Sequence, residues 1–251
     1  MKSVMFIHGM FMTARCWSGW AQRFSQRGWQ TQAPAWPLHD DEPAVMREKH
    51  PDPALGKLTL DEVVSRYAAL LEPLSPKPFL VGHSMGGLVV QLLLQKQLGV
   101  GGVAVDSAPP KGVISLKWSF LKSNWPVIAG KKDQPFLPSL EQFHYAFAHT
   151  LPIDQVRQIY ENEVVPESRR VGNGPTSDAA RIDFAAERPP LLFISGGDDH
   201  IIPASLNRSN FEKYSKAKTE LKEFPGRVHY TLSQAGWEAV CDYAISWLEA
   251  L

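Results

Sequence analysis

A serine set between glycines, with a short apolar run on either side, restricts this chain more than any other feature it has. Residues 77–94 read KPFLVGHSMGGLVVQLLL. Phe79, Leu80 and Val81 have the pattern of a buried strand, and Leu88 to Leu94, apolar on nearly every face, that of a buried helix. Between them, Gly82-His83-Ser84-Met85-Gly86 fits G-x-S-x-G, a strand-to-helix turn that holds its serine in a strained backbone and needs flanking residues without a Cβ. Such a turn exposes the hydroxyl. It also sets Ser84 at a helix N-terminus, where unpaired amides and the positive end of the dipole favour a developing oxyanion. A serine placed in this way calls for an acid and then a histidine further along the chain.

The stretch before the serine alternates strands and helices. Val4 to Ile7 is a continuous apolar run ending at His8-Gly9, which reads as a central parallel strand entering the loop Met10 to Arg15. A backbone amide of that loop, from Met10 or Phe11, is the expected second oxyanion donor beside Met85. A helix is predicted from about Cys16 to Gln26, with Trp17, Trp20, Ala21 and Phe24 at helical spacing and Gly28 as its stop, followed by a strand over Trp29 to Ala33. Residues 34–53 are polar and broken by prolines, and read as a solvated loop. His39, Asp40, Asp41, Glu42 and His50 lie there without any fixed ligand spacing, so no metal site is expected. Thr59 and Glu62 then form a capping-box pattern ahead of an amphipathic helix carrying Leu60, Val63, Val64, Tyr67, Leu70 and Leu71.

After the serine, Val103-Ala104-Val105 gives a further buried strand, and Asp106 at its exit is one candidate for the acid. Residues 110–188 leave the alternation, being rich in aromatics and prolines, and read as an inserted helical cap; Leu140, Phe143, Phe147 and Leu151 mark one helix and Val156, Ile159 and Tyr160 another. A roof of this kind over the sheet's open end would line a pocket with aromatic side chains, of which Trp118 and Phe143, with Phe11 below, are the expected substrate contacts. The strand pattern returns at Pro190 to Ser195 and runs into Gly196-Gly197-Asp198-Asp199. Strand exits are where open α/β sheets place ligands and catalytic groups. Of the two carboxylates Asp199 is favoured as the acid, because Ile201-Ile202-Pro203 leads from it into the next helix, and Asp198 is left a turn role. Thr219 to Phe224 is the last strand, His229 follows it as the base, and a helix from about Ser233 closes the chain, with Trp237, Val240, Ala244, Ile245 and Leu248 inward.

Composition narrows the partners. In 251 residues, Lys and Arg total 26 and so do Asp and Glu, which gives no net field toward nucleic acid, an anionic membrane or an acidic partner. Hydrophobic residues at 44% with 21% charged argue for a folded globular domain. Cys16 and Cys241 have no paired spacing, so neither a disulfide framework nor a thiolate metal site is expected. The apolar start is too short for a secretory leader, no run is long enough to cross a bilayer, and a cytoplasmic location is expected.

Together these landmarks resemble the α/β-hydrolase superfamily: His8-Gly9 after the first strand, Gly82-His83-Ser84-Met85-Gly86-Gly87, the segment Gly196 to Pro203, and His229. The resemblance implies a mostly parallel sheet with helices on both faces, a core of residues 1–109 and 189–251 with the cap at 110–188, and Ser84, Asp199 and His229 as a catalytic triad. The chain departs from the superfamily in two places. It starts at the strand before His8, without the two antiparallel strands that open many members. It also carries Pro34-Ala35-Trp36-Pro37-Leu38-His39 where an Asp-x-x-Gly-x-Gly-x-Ser pattern is usual. The implied activity is hydrolysis of a small to medium apolar carboxylic ester, lactone or amide through an acyl-enzyme, without a cofactor, in a monomer or homodimer. The same triad also suits an acyltransferase, a cofactor-free perhydrolase, or a lyase of the hydroxynitrile type. A serine nucleophile argues against dehalogenase and epoxide-hydrolase chemistry, which proceed through an alkyl-enzyme on a carboxylate.

Overall fold

The structure is a computed structural model that describes residues 2–251. Its first strand, β1 (Ser3–Ile7), is buried over most of its length, as expected of a central strand covered on both faces. A 3-10 turn over Ala14–Trp17 leads into α1 (Ser18–Gln26), so the regular helix starts two residues later than the aromatic spacing suggests. Edge strand β2 (Gln30–Gln32) follows, then α2 (Pro43–Glu48), α3 (Pro53–Lys57) and α4 (Leu60–Leu71). The capping box of α4 is formed: Glu62 accepts from the Thr59 amide at 2.8 Å, and Thr59 Oγ1 accepts from the Glu62 amide at 3.3 Å. Strand β3 (Phe79–His83), helix α5 (Met85–Gln95) and strand β4 (Gly102–Val105) carry the chain through the serine turn.

Between β4 and the next strand of the main sheet lie α6 (Trp118–Ile128), β5 (Pro135–Phe136), α7 (Leu140–Phe147), α8 (Ile153–Glu163), β6 (Glu167–Ser168) and α9 (Arg169–Gly172), with β5 and β6 paired antiparallel. The main sheet resumes with β7 (Leu191–Gly196), α10 (Ala204–Phe211), β8 (Thr219–Phe224) and α11 (Trp237–Glu249).

Among the described residues the main sheet has six strands in the order β2-β1-β3-β4-β7-β8, all parallel. Alternation along the strands sends side chains to two cores. Met5, Ile7, Leu80, Ala104 and Phe193 pack with α4, α5 and α10, whereas Phe6, Val81, Val105 and Ile194 pack with α1 and α11. Helix α5 is buried from Met85 through Leu94, which explains why it lacks a polar face.

The strand order also locates the crevice. From β1 the chain goes first to β2 on one side and then to β3 on the other, so the connections leaving β1 and β3 part and open a cleft at their carboxyl ends. Met10 and Ser84 border that cleft.

The segment 34–53 is less solvated than its composition suggests. Trp36, His39, Pro43 and Met46 are buried, and α2 lies within the stretch read as a loop. Local sequence pattern does not show this, because the partners are distant: His39 meets Glu167 of β6, and Trp36 stacks on His8 with ring centroids 4.7 Å apart.

Candidate active site

Ser84 sits between β3 and α5 with φ 56° and ψ −121°, a conformation that side chains rarely adopt. The turn is held by its own backbone, the Ser84 amide donating to Val105 O and the amides of Gly87 and Ala108 donating to Ser84 O, each at 2.9 Å. Its glycines are there for space. A Cβ on Gly82 would lie 2.2 Å from Gly86 O, and one on Gly86 would lie 2.1 Å from Ile7 O, so neither position has room for a side chain. Gly9 is constrained by the serine itself, since a Cβ there would approach Ser84 Cβ to 2.8 Å.

Two later strands bring the other groups. His229, in the loop after β8, places Nε2 2.9 Å from Ser84 Oγ and Nδ1 2.6 Å from Asp199 Oδ2. Asp199, in the loop after β7, also accepts at Oδ1 from the amides of Ile201 at 2.7 Å and Ile202 at 2.9 Å. With Asp199 accepting from Nδ1–H, Nε2 of a neutral His229 is the acceptor for the Ser84 hydroxyl. Burial pushes the His229 imidazole down to about 3, which keeps the ring neutral. His83 is neutral as well, held well below its ordinary range by burial and by His229, and its Nε2–H donates to His229 O at 2.9 Å.

Both candidate acids are buried beside one another, and the geometry separates them. Asp106 Oδ1 accepts from the Gly196 amide at 2.6 Å, and Oδ2 has no partner among the described residues. Burial and the neighbouring Asp199 push the Asp106 carboxyl well above its usual range. Burial raises Asp199 too, but three donors point at its oxygens and Asp106 has one. Asp199 is therefore the member of the pair equipped to hold the charge, and Asp106 the one that keeps a proton. Asp198 is exposed.

Ligand atoms of His83, Asp106 and His229 lie within 4.8 Å of one another, a grouping that could suit a metal. Both nitrogens of His229 and Nε2 of His83 are already committed to Ser84, Asp199 and a backbone carbonyl, which leaves that set too few free donors for a cation.

The loop after β1 distinguishes its two amides. Phe11, at φ 67°, donates its N–H to Glu167 Oε1 at 3.3 Å, whereas the Met10 amide forms no hydrogen bond among the described residues. Met85 is the first residue of α5, so its N–H has no acceptor one turn back in the helix.

Sequence reasoning missed what anchors this loop. Glu167 Oε1 also receives His39 Nε2 at 2.7 Å, and His39 Nδ1 donates to Pro37 O at 2.9 Å. Both ring nitrogens donate, so His39 is an imidazolium paired with a buried carboxylate. Burial opposes that charge, and the Glu167 carboxylate outweighs burial and raises His39. On the other side, His8 Nδ1–H donates to Gly9 O at 2.9 Å and Nε2 accepts from the Trp36 amide at 3.1 Å, which requires a neutral ring; burial and His39 push it down to about 3. The only local signal for Glu167 was a carboxylate directly after the short apolar run Val164-Val165-Pro166.

Above Ser84 is a cavity of about 680 Å³, mouth included. Met10, Phe11, Met85 and Phe143 line it, joined by Phe136, Val127 and Phe147. Phe143 and Phe147 stack with centroids 4.6 Å apart, and Phe147 meets the His229 ring edge-on at 5.0 Å. Trp118 does not line the cavity. It begins α6 with 74% of its surface exposed, because that helix turns Ser123, Asn124 and Val127 toward the cavity and Trp118 away from it.

The comparisons with known proteins agree with this architecture. A monoacylglycerol lipase from Paleococcus ferrophilus is 21% identical, with 97% of this chain and 94% of that one covered at a TM-score of 0.67. A methylesterase from Arabidopsis is 16% identical over the full length of both chains at 0.69. Tomato methylketone synthase I, in complex with 2-tridecanone, is 15% identical over 99% of this chain and 98% of that one at 0.72. At these identities the likeness is one of fold. The model of the Alpha/beta hydrolase family matches residues 4–242, nearly the whole chain and every strand described above, and the chain belongs to that family.

Proposed function

We propose that the protein is a serine hydrolase that cleaves small to medium apolar carboxylic esters through an acyl-enzyme on Ser84. The observation that carries the reading is the continuous relay from Ser84 Oγ through His229 to Asp199, at 2.9 and 2.6 Å, at the floor of an apolar cavity. Ser84 Oγ attacks the ester carbonyl as its proton passes to His229 Nε2. Asp199 holds the Nδ1–H tautomer and steadies the imidazolium. The carbonyl oxygen, now negative, is received by the amides of Met85 and Met10, and loss of one such donor typically lowers kcat about 10²- to 10³-fold. His229 returns the proton to the departing alcohol. It then takes a proton from water, which adds to the acyl carbon, and returns that proton to Ser84 Oγ as the Oγ–acyl bond breaks and the acid departs.

Phe11, Phe143 and Phe147 suit an apolar acyl or alcohol group, and residues 110–188 act as the cap that closes the site from above, over a core of residues 1–109 and 189–251. Intact-mass analysis after fluorophosphonate treatment tests the reading. One adduct, mapped to Ser84 and missing from Ser84→Ala, is expected, together with turnover of p-nitrophenyl esters by the wild type alone. A folded wild-type protein that takes no adduct would exclude the acyl-enzyme.

A further inference from the structure

Helix α6 is amphipathic in the wrong direction for a helix that only covers a core. Trp118, Leu121, Trp125 and Ile128 recur at helical spacing and are 74%, 42%, 66% and 46% exposed, while Ser123 and Asn124 on the opposite face line the cavity. The loop before it adds Ile114 and Leu116, also exposed. Six of the chain's exposed large apolar side chains thus fall between residues 114 and 128, a concentration expected of an interaction surface and not of scattered surface residues.

The same segment has a charge that the balanced whole-chain count hides. From Ser107 to Lys132 there are five lysines and no Asp or Glu. Lys111 is engaged by Asp178 and Lys122 lies over the Tyr145 ring at 3.8 Å, whereas Lys117, Lys131 and Lys132 are exposed and flank α6 in the chain. A second copy of the chain would bring this positive surface against itself in a two-fold contact. An anionic surface complements it. Indole rings flanked by lysines are the composition that settles in the headgroup region of a bilayer. Ile128, the end of the stripe, is also a cavity wall, so the surface borders the opening above Ser84.

We infer that the outer face of α6 and the loop before it dock the protein on an anionic lipid surface, with Trp118, Leu121 and Trp125 entering the headgroup layer and Lys117, Lys131 and Lys132 meeting lipid phosphates. Docking presents the cavity mouth to the bilayer, so esters dissolved in the membrane reach Ser84 directly; this last step rests on the hydrolase reading, and the docking does not.

Vesicle flotation tests it with the wild type, Ser84→Ala, Leu116→Ser/Trp125→Ser and Lys117→Glu/Lys131→Glu/Lys132→Glu. The wild type and Ser84→Ala are expected to float equally well with phosphatidylcholine–phosphatidylglycerol vesicles and poorly with phosphatidylcholine alone. High salt should release them, and each surface variant should partition more than about tenfold less. Binding by Ser84→Ala keeps docking separate from catalysis. If the protein shows no esterase activity yet floats, the hydrolase reading fails and docking stands. Wild-type protein that does not float, flotation unchanged in both surface variants, or a dimer in sedimentation velocity that Leu116→Ser/Trp125→Ser dissociates would each overturn the inference.

Discussion

Phe11, Ser84 and Asp106 all have positive φ, at 67°, 56° and 43°, and they follow β1, β3 and β4, the three strands around the cleft. Strain of this kind survives only where neighbours over-determine the backbone, and here those neighbours are the groups that build the site. At this scale the two carboxylates give the sharpest prediction. Asp199→Asn should lower kcat on the order of 10⁴-fold by loss of the imidazole tautomer, as steady-state kinetics on any ester substrate would show. Asp106→Asn should keep most of the activity, because its Oδ1 serves the Gly196 amide and not His229. The same variant has a stability signature. A carboxyl raised in the folded state stabilises below its unfolded value near 3.8 and becomes a burden as pH rises above it. Removing the Asp106 carboxyl should therefore raise the urea midpoint relative to wild type at pH 8, with the difference shrinking toward pH 4.

At the scale of elements, the serine turn and the β1 loop depend on contacts across chain ends. Gly86→Ala would drive a Cβ into the carbonyls of Ile7 and His8, at 2.1 and 2.6 Å, and neither can retreat without disturbing β1. A cost of about 3 kcal/mol or more is expected, seen as a fall in urea midpoint or loss of soluble protein. Glu167 ties β6 to the loop after β1. Glu167→Leu leaves the Phe11 amide and the His39 imidazole without a buried acceptor, which costs about 1–3 kcal/mol for each group and loosens the loop that carries Met10. Its kcat should fall while KM moves little. Glu167→Gln, which keeps an oxygen for Phe11, should recover part of the loss; equal kcat in the two variants would show that the acceptor does not position the loop.

At the scale of the whole molecule, acid is the vulnerability. His8, His83 and His229 are buried and neutral, with His8 and His229 pushed down to about 3 against 6.5 in the unfolded chain. Between those values the unfolded state binds more protons, so the stability these rings contribute is complete above pH 6.5 and lost as pH falls toward 3. His39 has the opposite sign, and its contribution is present below 6.5 and lost as pH rises through its raised value. Three rings outweigh one, so the urea midpoint should decline from pH 6.5 downward. The decline should be steeper in Asp106→Asn, which lacks the group that grows more favourable in acid.

The order of buried strands, the Gly-Ser-Gly turn and the candidate positions Ser84 and His229 were legible in the chain. Each depends on a local pattern: a continuous apolar run between two covered faces, a turn without room for a Cβ, or a polar residue at the end of such a run. Other features were not local. The choice of Asp199 over Asp106 depends on which carboxylate meets the imidazole and which meets the Gly196 amide, and sequence order allows either. The burial of His39 depends on Glu167, 128 residues away. The outward face of Trp118 depends on which side of α6 meets the cavity, and an aromatic residue in sequence looks the same whether it faces a pocket or water. Periodicity and turn chemistry act over a few residues and are written in order along the chain. Charge pairing and facing are decided by neighbours that only the folded backbone brings together.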